Sequence, residues 1–234
     1  MPAFLLIDFD NTMMATEQYA LPSLIARFNH LYSAEIAAPL TLETFKQHFH
    51  GQARGVLCAS LSSYFSIEVD CAALYADREW IMMQHLQDVA GGIAMAPHLV
   101  ETLDGLRTAH GITAALVSNN PVQRALCAMR YAANGQGDAL AALLGTRLFE
   151  AGDRQKPLPD AYLRAMAQLC AAPQDCAVIE DSVTGTRAGV AAGIVTFGFT
   201  GFAEDKDSAR TNLIEAGCRA VFDDWKDLPP LLTA

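Results

Sequence analysis

With 234 residues, 52% of them hydrophobic, the chain is long enough for one sizeable domain or for a core with a smaller insert. Its 16 Lys and Arg against 26 Asp and Glu give a formal charge of −10, which argues against a nucleic-acid partner and leaves room for an anionic small molecule held by a local field. No apolar run is long enough to cross a bilayer, and the N-terminus lacks the basic-then-apolar pattern of a signal peptide, so a cytoplasmic protein without membrane contact is expected.

Phe4-Leu5-Leu6-Ile7 reads as a strand buried on both faces. It runs into Asp8-Phe9-Asp10, and alternate positions on a strand point the same way, so both carboxylates aim at one spot beyond its carboxyl end. Residues 14–91 read as helical. Leu21, Leu24, Ile25, Phe28, Leu31 and Tyr32 recur at helical spacing, with Pro22 placed near the helix start. Thr41 is a cap for a second helix carrying Leu42, Phe45 and Phe49, and residues 56–65 and 71–89 read as two more. Gly91-Gly92 marks the return. Pro97 opens a helix with Leu99, Val100, Leu103 and Leu106 on one face, closed by Gly111.

Strand and helix then alternate. Strands are predicted over 112–117, 147–149, 177–179, 195–199 and 220–222, and helices over 121–131, 159–170, 183–192 and 208–216. The segment 133–138 is expected to be a polar loop with no assignable chemistry. The pattern predicts an α/β fold: a Rossmann-like, doubly wound parallel sheet core over 1–13 and 92–234, with a small all-helical cap domain, 14–91, inserted after the first strand.

The ends of the buried strands carry the chemistry. Val117 leads into Ser118-Asn119-Asn120, Ile179 leads into Glu180-Asp181-Ser182, and Lys156 lies between them in sequence. In one parallel sheet these groups converge at the edge where open α/β sheets bind ligands. Unit charges about 4 Å apart at an effective dielectric near 20 interact by roughly 4 kcal/mol, so clustered carboxylates need cations. Lys156 is one. A hard divalent ion is the natural second, and magnesium fits best because it keeps positions for water and phosphate. Plainer readings exist: Asp8 to Asn11 as a turn, Glu180 to Ser182 as a helix cap, Lys156 as a solvated loop lysine. Capping is compatible with ligation. The cysteines at 58, 71, 127, 170, 176 and 218 form no close pair; they are expected to be buried reduced thiols, and no zinc spacing is present.

These residues, in this order, resemble the haloacid dehalogenase superfamily, the aspartate-nucleophile phosphotransferases. The four motifs are Asp8-Phe9-Asp10-Asn11-Thr12, Ser118, Lys156 (in Lys156-Pro157-Leu158-Pro159-Asp160-Ala161-Tyr162) and Glu180-Asp181 (in Glu180-Asp181-Ser182-Val183-Thr184-Gly185). The resemblance covers nearly the whole chain. Asn11 stands where the family most often has glycine, and asparagine tolerates the left-handed backbone that such a turn needs. The stretch between Ser118 and Lys156 is long for the family.

The resemblance implies a role for each group. Asp8 would be the nucleophile, forming an aspartyl-phosphate. Asp10 would be the acid for the leaving alcohol and then the base for water, its carbonyl ligating the metal. Ser118 would bind a phosphoryl oxygen, and Lys156 would bridge that oxygen and Asp8. Asp8, Asp10, Asp181 and Glu180 make up the metal set, Glu180 as a ligand or as an acceptor behind the ligands. Asn119 and Arg54 are assigned to substrate binding. Gly51 and Arg54 resemble the glycine and arginine of the cap loop that reads substrate in the mutase-like branch; an ordinary surface arginine is the plain alternative. In the family, an insert at 14–91 is a lid over the site.

The nearest branch includes sugar-phosphate and phosphoglycolate phosphatases and β-phosphoglucomutase. Thr12, and Ala20 where the mutase has a cap histidine, favour a magnesium-dependent phosphatase acting on a small phosphorylated metabolite. A phosphomutase, or a catalytically silent regulator on this fold, is the alternative. The expected state is monomer or homodimer.

Overall fold

The computed structural model describes residues 1–49 and 54–233, with backbone only at 54 and 55. The chain divides into two compact units, Met1–Thr16 with Val89–Ala234, and Glu17–Asp88. In chain order the elements are β1 (Phe4–Ile7), α1 (Glu17–Tyr32), α2 (Leu42–His48), α3 (Arg54–Phe65), α4 (Cys71–Tyr75), α5 (Arg78–Gln87), α6 (Leu99–His110), β2 (Thr113–Ser118), α7 (Val122–Arg130), α8 (Gly137–Leu144), β3 (Leu148–Glu150), α9 (Asp160–Leu169), β4 (Cys176–Glu180), α10 (Val183–Ala191), β5 (Val195–Phe199), α11 (Lys206–Ala216), β6 (Ala220–Phe222) and α12 (Leu228–Leu231).

The six strands form one sheet in the order β3-β2-β1-β4-β5-β6, every pair parallel. This is the doubly wound order, and it reverses between β1 and β4. Leu6, Val117 and Val178 pack with Tyr162, Ala165 and Ala188 of α9 and α10 in one buried cluster. Leu5, Ile7, Leu116 and Ile179 alternate with that set and are equally buried, so the central strands are covered on both faces. Each such buried aliphatic side chain contributes about 1.5–3 kcal/mol.

The segment before α1 stays with the sheet because its backbone is tied there. Ala15 N–H donates to Ala94 O at 2.9 Å and Ala96 N–H to Met13 O at 2.8 Å. The helical unit has its own core of Ile25, Phe28, Tyr32, Phe45, Leu57, Leu61 and Leu74. Thr41 caps α2, its hydroxyl accepting from Thr44 N–H at 3.1 Å.

Several details differ from the sequence reading. The helix over 71–89 is two helices, broken at Asp77, which adopts a left-handed φ of 53°. Pro22 lies inside α1, past its first turn, since that helix begins at Glu17. A helix, α8, begins at Gly137 within the segment read as loop. The Gly and Asn of 133–138 masked the apolar run that follows. Cys58 and Cys71 are not reduced thiols but a disulfide, with Cα atoms 5.7 Å apart. The pairing is tertiary, between α3 and the start of α4, so no local spacing announces it. Cys176 and Cys218 are buried free thiols, while Cys170 is exposed.

The disulfide spans a sequence separation of 13. Chain-entropy reasoning makes such a crosslink worth about 3 kcal/mol. Reduction should therefore raise amide hydrogen exchange in α3 and α4 while β1, β2 and β4 stay protected. Unchanged exchange in α3 and α4 would show the crosslink to be idle.

Candidate active site

Strand register sets the height of the site. Ile7 is level with Leu116 on one side and Ile179 on the other, so Asp8, Val117 and Glu180, the next residue of each strand, stand at one height. Lys156 reaches this point from the start of the α9 segment. Its ammonium donates to Asp8 Oδ1 at 2.7 Å, Val117 O at 2.7 Å and Glu180 Oε1 at 2.6 Å. An ammonium has three N–H donors, and all three are used. Of the bridge from Lys156 to Asp8 and a phosphoryl oxygen, the Asp8 half is in place, and the other two donors meet Val117 and Glu180. Burial favours the neutral amine, but the Asp8 and Glu180 carboxylates outweigh it and hold the ammonium charged well above the ordinary lysine range.

Burial likewise pushes the Asp8 carboxyl well above the usual carboxylate range; Lys156 pulls it down, and Glu180 and Asp10 push it further up. Glu180 is fully buried, and both of its carboxylate oxygens accept hydrogen bonds. Tyr162 Oη donates to its Oε1 at 2.7 Å and Ser182 Oγ to its Oε2 at 3.0 Å. The same burial drives the Tyr162 hydroxyl far above its ordinary range, so it remains a donor. Ser182 also caps α10, accepting from Gly185 N–H at 3.0 Å.

Asp181 accepts from Thr12 Oγ1 at 3.0 Å. Carboxylate oxygens of Asp8, Glu180 and Asp181 all lie within 4.8 Å of one another. Such a hard-oxygen set is of the kind that could hold a cation such as magnesium.

Asp10 has different company. Its Oδ1 accepts from Thr16 Oγ1 at 2.5 Å, and its Oδ2 from Asn120 Nδ2 at 2.8 Å and Ser118 Oγ at 3.5 Å. Asn119 turns toward Lys156: its Oδ1 accepts from the Lys156 backbone N–H at 2.8 Å and its Nδ2 donates to Lys156 O at 3.4 Å. Asn119 thus acts on the lysine loop here, with its amide committed to main chain. The Arg54 side chain and residues 50–53, including Gly51, lie outside the described residues.

The structure therefore brings together Asp8, Asp10, Ser118, Lys156, Glu180 and Asp181, with Asn119 behind Lys156. Sequence reasoning missed the contacts of Asn120, Thr16 and Tyr162, and that of Arg124 in α7, whose Nη1 lies 3.7 Å from Asp10 Oδ1. Asn120 and Tyr162 stood inside quoted motifs, where their neighbours drew the attention. A threonine in a turn and an arginine in a helix carry no sequence signal.

Gly185 permits the close approach of α10. A Cβ at this position would fall 1.9 Å from the Glu180 carboxyl carbon. Gly185→Ala should lower stability by about 1–3 kcal/mol, the usual penalty for overpacking, and disturb the Lys156–Glu180 contact. Urea unfolding measures the first; an unchanged midpoint would mean that α10 shifts freely.

A family model for haloacid dehalogenase-like hydrolases matches residues 4–193. Hexitol phosphatase A of Escherichia coli (strain K12) is 34% identical over 132 residues, 54% of this chain and 53% of that protein. The bifunctional riboflavin kinase/FMN phosphatase of Arabidopsis thaliana is 38% identical over 84 residues, 36% of this chain and 21% of that protein. The chain thus spans about half the length of one of these relatives and about a fifth of the other. A crystal structure of a HAD family hydrolase from Deinococcus radiodurans R1, with bound phosphate and sodium, is 25% identical, covers 99% of this chain and 95% of its own, and superposes with a TM-score of 0.70.

Proposed function

Because this chain belongs to the haloacid dehalogenase-like hydrolase family, we propose that it is a magnesium-dependent phosphatase that cleaves a small phosphorylated metabolite through an aspartyl-phosphate. The observation that carries this reading is Asp8. Asp8 meets the Lys156 ammonium at 2.7 Å and lies in one carboxylate cluster with Asp181, as Glu180 does, but the Asp8 side chain keeps 12% of its surface exposed where that of Glu180 keeps none. That placement suits a nucleophile aimed by the ammonium, whose charge works against the burial that raises the Asp8 carboxyl.

A carboxylate oxygen of Asp8 attacks phosphorus, and the ester oxygen leaves with a proton from Asp10. Asp10 then takes a proton from water, which attacks the phosphorus of the aspartyl-phosphate. Inorganic phosphate departs and Asp8 is restored. Asp10 carries that proton as the carboxylic acid, and it must release one of its donors, Thr16 or Asn120, to reach the leaving oxygen. Ser118 is placed to donate to a phosphoryl oxygen. Asp8, Asp181 and the Asp10 main-chain carbonyl are the groups that would hold magnesium, which neutralises charge on the phosphoryl oxygens when bound. The bound phosphate of the Deinococcus radiodurans hydrolase supports an oxyanion in this crevice, and the likeness to Hexitol phosphatase A supports a sugar- or polyol-phosphate substrate.

Asp8→Asn should fold and lose about three or more orders of magnitude in activity, as expected when the central group of a catalytic unit is removed. Activity within tenfold of the parent on p-nitrophenyl phosphate sinks the assignment. Chelation should abolish turnover and magnesium restore it, with calcium inhibiting because it prefers more ligands and longer bonds. Full activity after thorough chelation refutes the metal role of Asp181. A phosphate-release screen over sugar and polyol phosphates then identifies the substrate.

A further inference from the structure

Arg124 lies in the first turn of α7, and only 3% of its surface is exposed. Both facts run against expectation. A cation in the first turn opposes the helix dipole, and a buried guanidinium is strongly disfavoured unless it faces a carboxylate. The carboxylate it faces is that of Asp10, with Nη1 3.7 Å from Oδ1, and both side chains are buried. The helix N-terminus is meanwhile served by Glu150, whose Oε2 accepts from Val122 N–H at 2.9 Å. Arg124 is therefore not placed for the sake of its own helix.

Asp10 is held from three directions. Thr16 contacts Oδ1 from the turn after β1, Asn120 contacts Oδ2 from the end of β2, and Arg124 stands behind Oδ1 from α7. The two cations divide the site: Lys156 serves Asp8 and Glu180, and Arg124 serves Asp10. We propose that Arg124 is a positioning residue for Asp10, fixing the carboxylate that passes the proton to the leaving alcohol. This rests on the phosphatase reading above. Arg124 acts through Asp10, not through the substrate.

The consequence is a dependence on the leaving group. Alkyl phosphates need a proton on the departing oxygen, whereas 2,4-dinitrophenyl phosphate does not. The measurement is kcat/KM, which covers events up to formation of the aspartyl-phosphate, across 2,4-dinitrophenyl, p-nitrophenyl, phenyl and glycerol phosphates with magnesium. Arg124→Met should lower kcat/KM for glycerol phosphate by about 100-fold, within the range ascribed to general acid catalysis. The loss on dinitrophenyl phosphate should stay below about fivefold, since proton donation contributes little to an activated ester. Arg124→Lys keeps the charge and should fall between parent and Met variant. In an Asp10→Asn background, Arg124→Met should add less than about threefold, as for residues acting as one unit.

Equal losses on every ester, or full additivity with Asp10→Asn, overturn the proposal and make Arg124 a packing and charge-balance residue. If Arg124→Met does not fold, the Lys variant and its own double substitution decide the matter. If Asp10→Asn shows no leaving-group dependence, or no ester is hydrolysed, the phosphatase reading falls and this proposal with it. A leaving-group dependence in Asp10→Asn that is missing from both Arg124 variants overturns the Arg124 proposal alone.

Discussion

Three hydrogen bonds from one ammonium organise this molecule. Lys156 joins the ends of β1, β2 and β4 by binding Asp8 Oδ1, Val117 O and Glu180 Oε1. One of these is a main-chain carbonyl and two are carboxylates, so the bond set measures the relative heights of three strands as well as their charge. The cluster is almost wholly buried, and removing one partner of such a pair costs about 3–5 kcal/mol because the other charge is left uncompensated. A shift of one strand by a single residue would turn its carboxylate to the opposite face. Sheet register and catalytic geometry are thus the same constraint.

The need to satisfy Glu180 explains the helices around it. Its remaining lone pairs take Tyr162 from α9 and Ser182 from the start of α10. Both helices lie on the face of the sheet that holds Leu6, Val117 and Val178. The close seat of α10 requires the missing side chain at Gly185. Buried polar groups are tolerated only when fully paired, and this network is paired by residues from four separate segments.

Much of this was legible in the chain. The apolar runs ending in Asp8, Ser118 and Glu180 gave away both the strands and their active ends, because a parallel strand covered on both faces is a short continuous apolar word. Asn11 was read as a residue suited to left-handed backbone, and it has a φ of 56°. What was hidden is what depends on distant pairing. The Cys58–Cys71 bond, the clamp of Asn119 on the Lys156 backbone, and the burial of Arg124 each join segments whose separation in sequence says nothing of their contact. The break at Asp77 was hidden for another reason. Apolar spacing continues across it, and only the backbone angle shows that the helix does not.

The turn after β1 shows how two adjacent carboxylates acquire different environments. Asp8 and Asp10 both follow β1, and the chain folds back at once: Met13 and Met14 N–H both donate to Phe9 O, and Asn11 N–H to Met14 O. The left-handed step at Asn11 makes that reversal possible, and the buried Trp225 holds it by donating Nε1–H to Thr12 O at 3.3 Å. The reversal sends the Thr12 hydroxyl toward Asp181 and the Thr16 hydroxyl toward Asp10. Asp8 is left with an ammonium and neighbouring carboxylates, a setting that suits metal and phosphorus. Asp10 is left with neutral donors and a guanidinium, a setting that holds its carboxyl group in place. The difference in surroundings comes from the path of the backbone between the two residues, since the side chains themselves are identical.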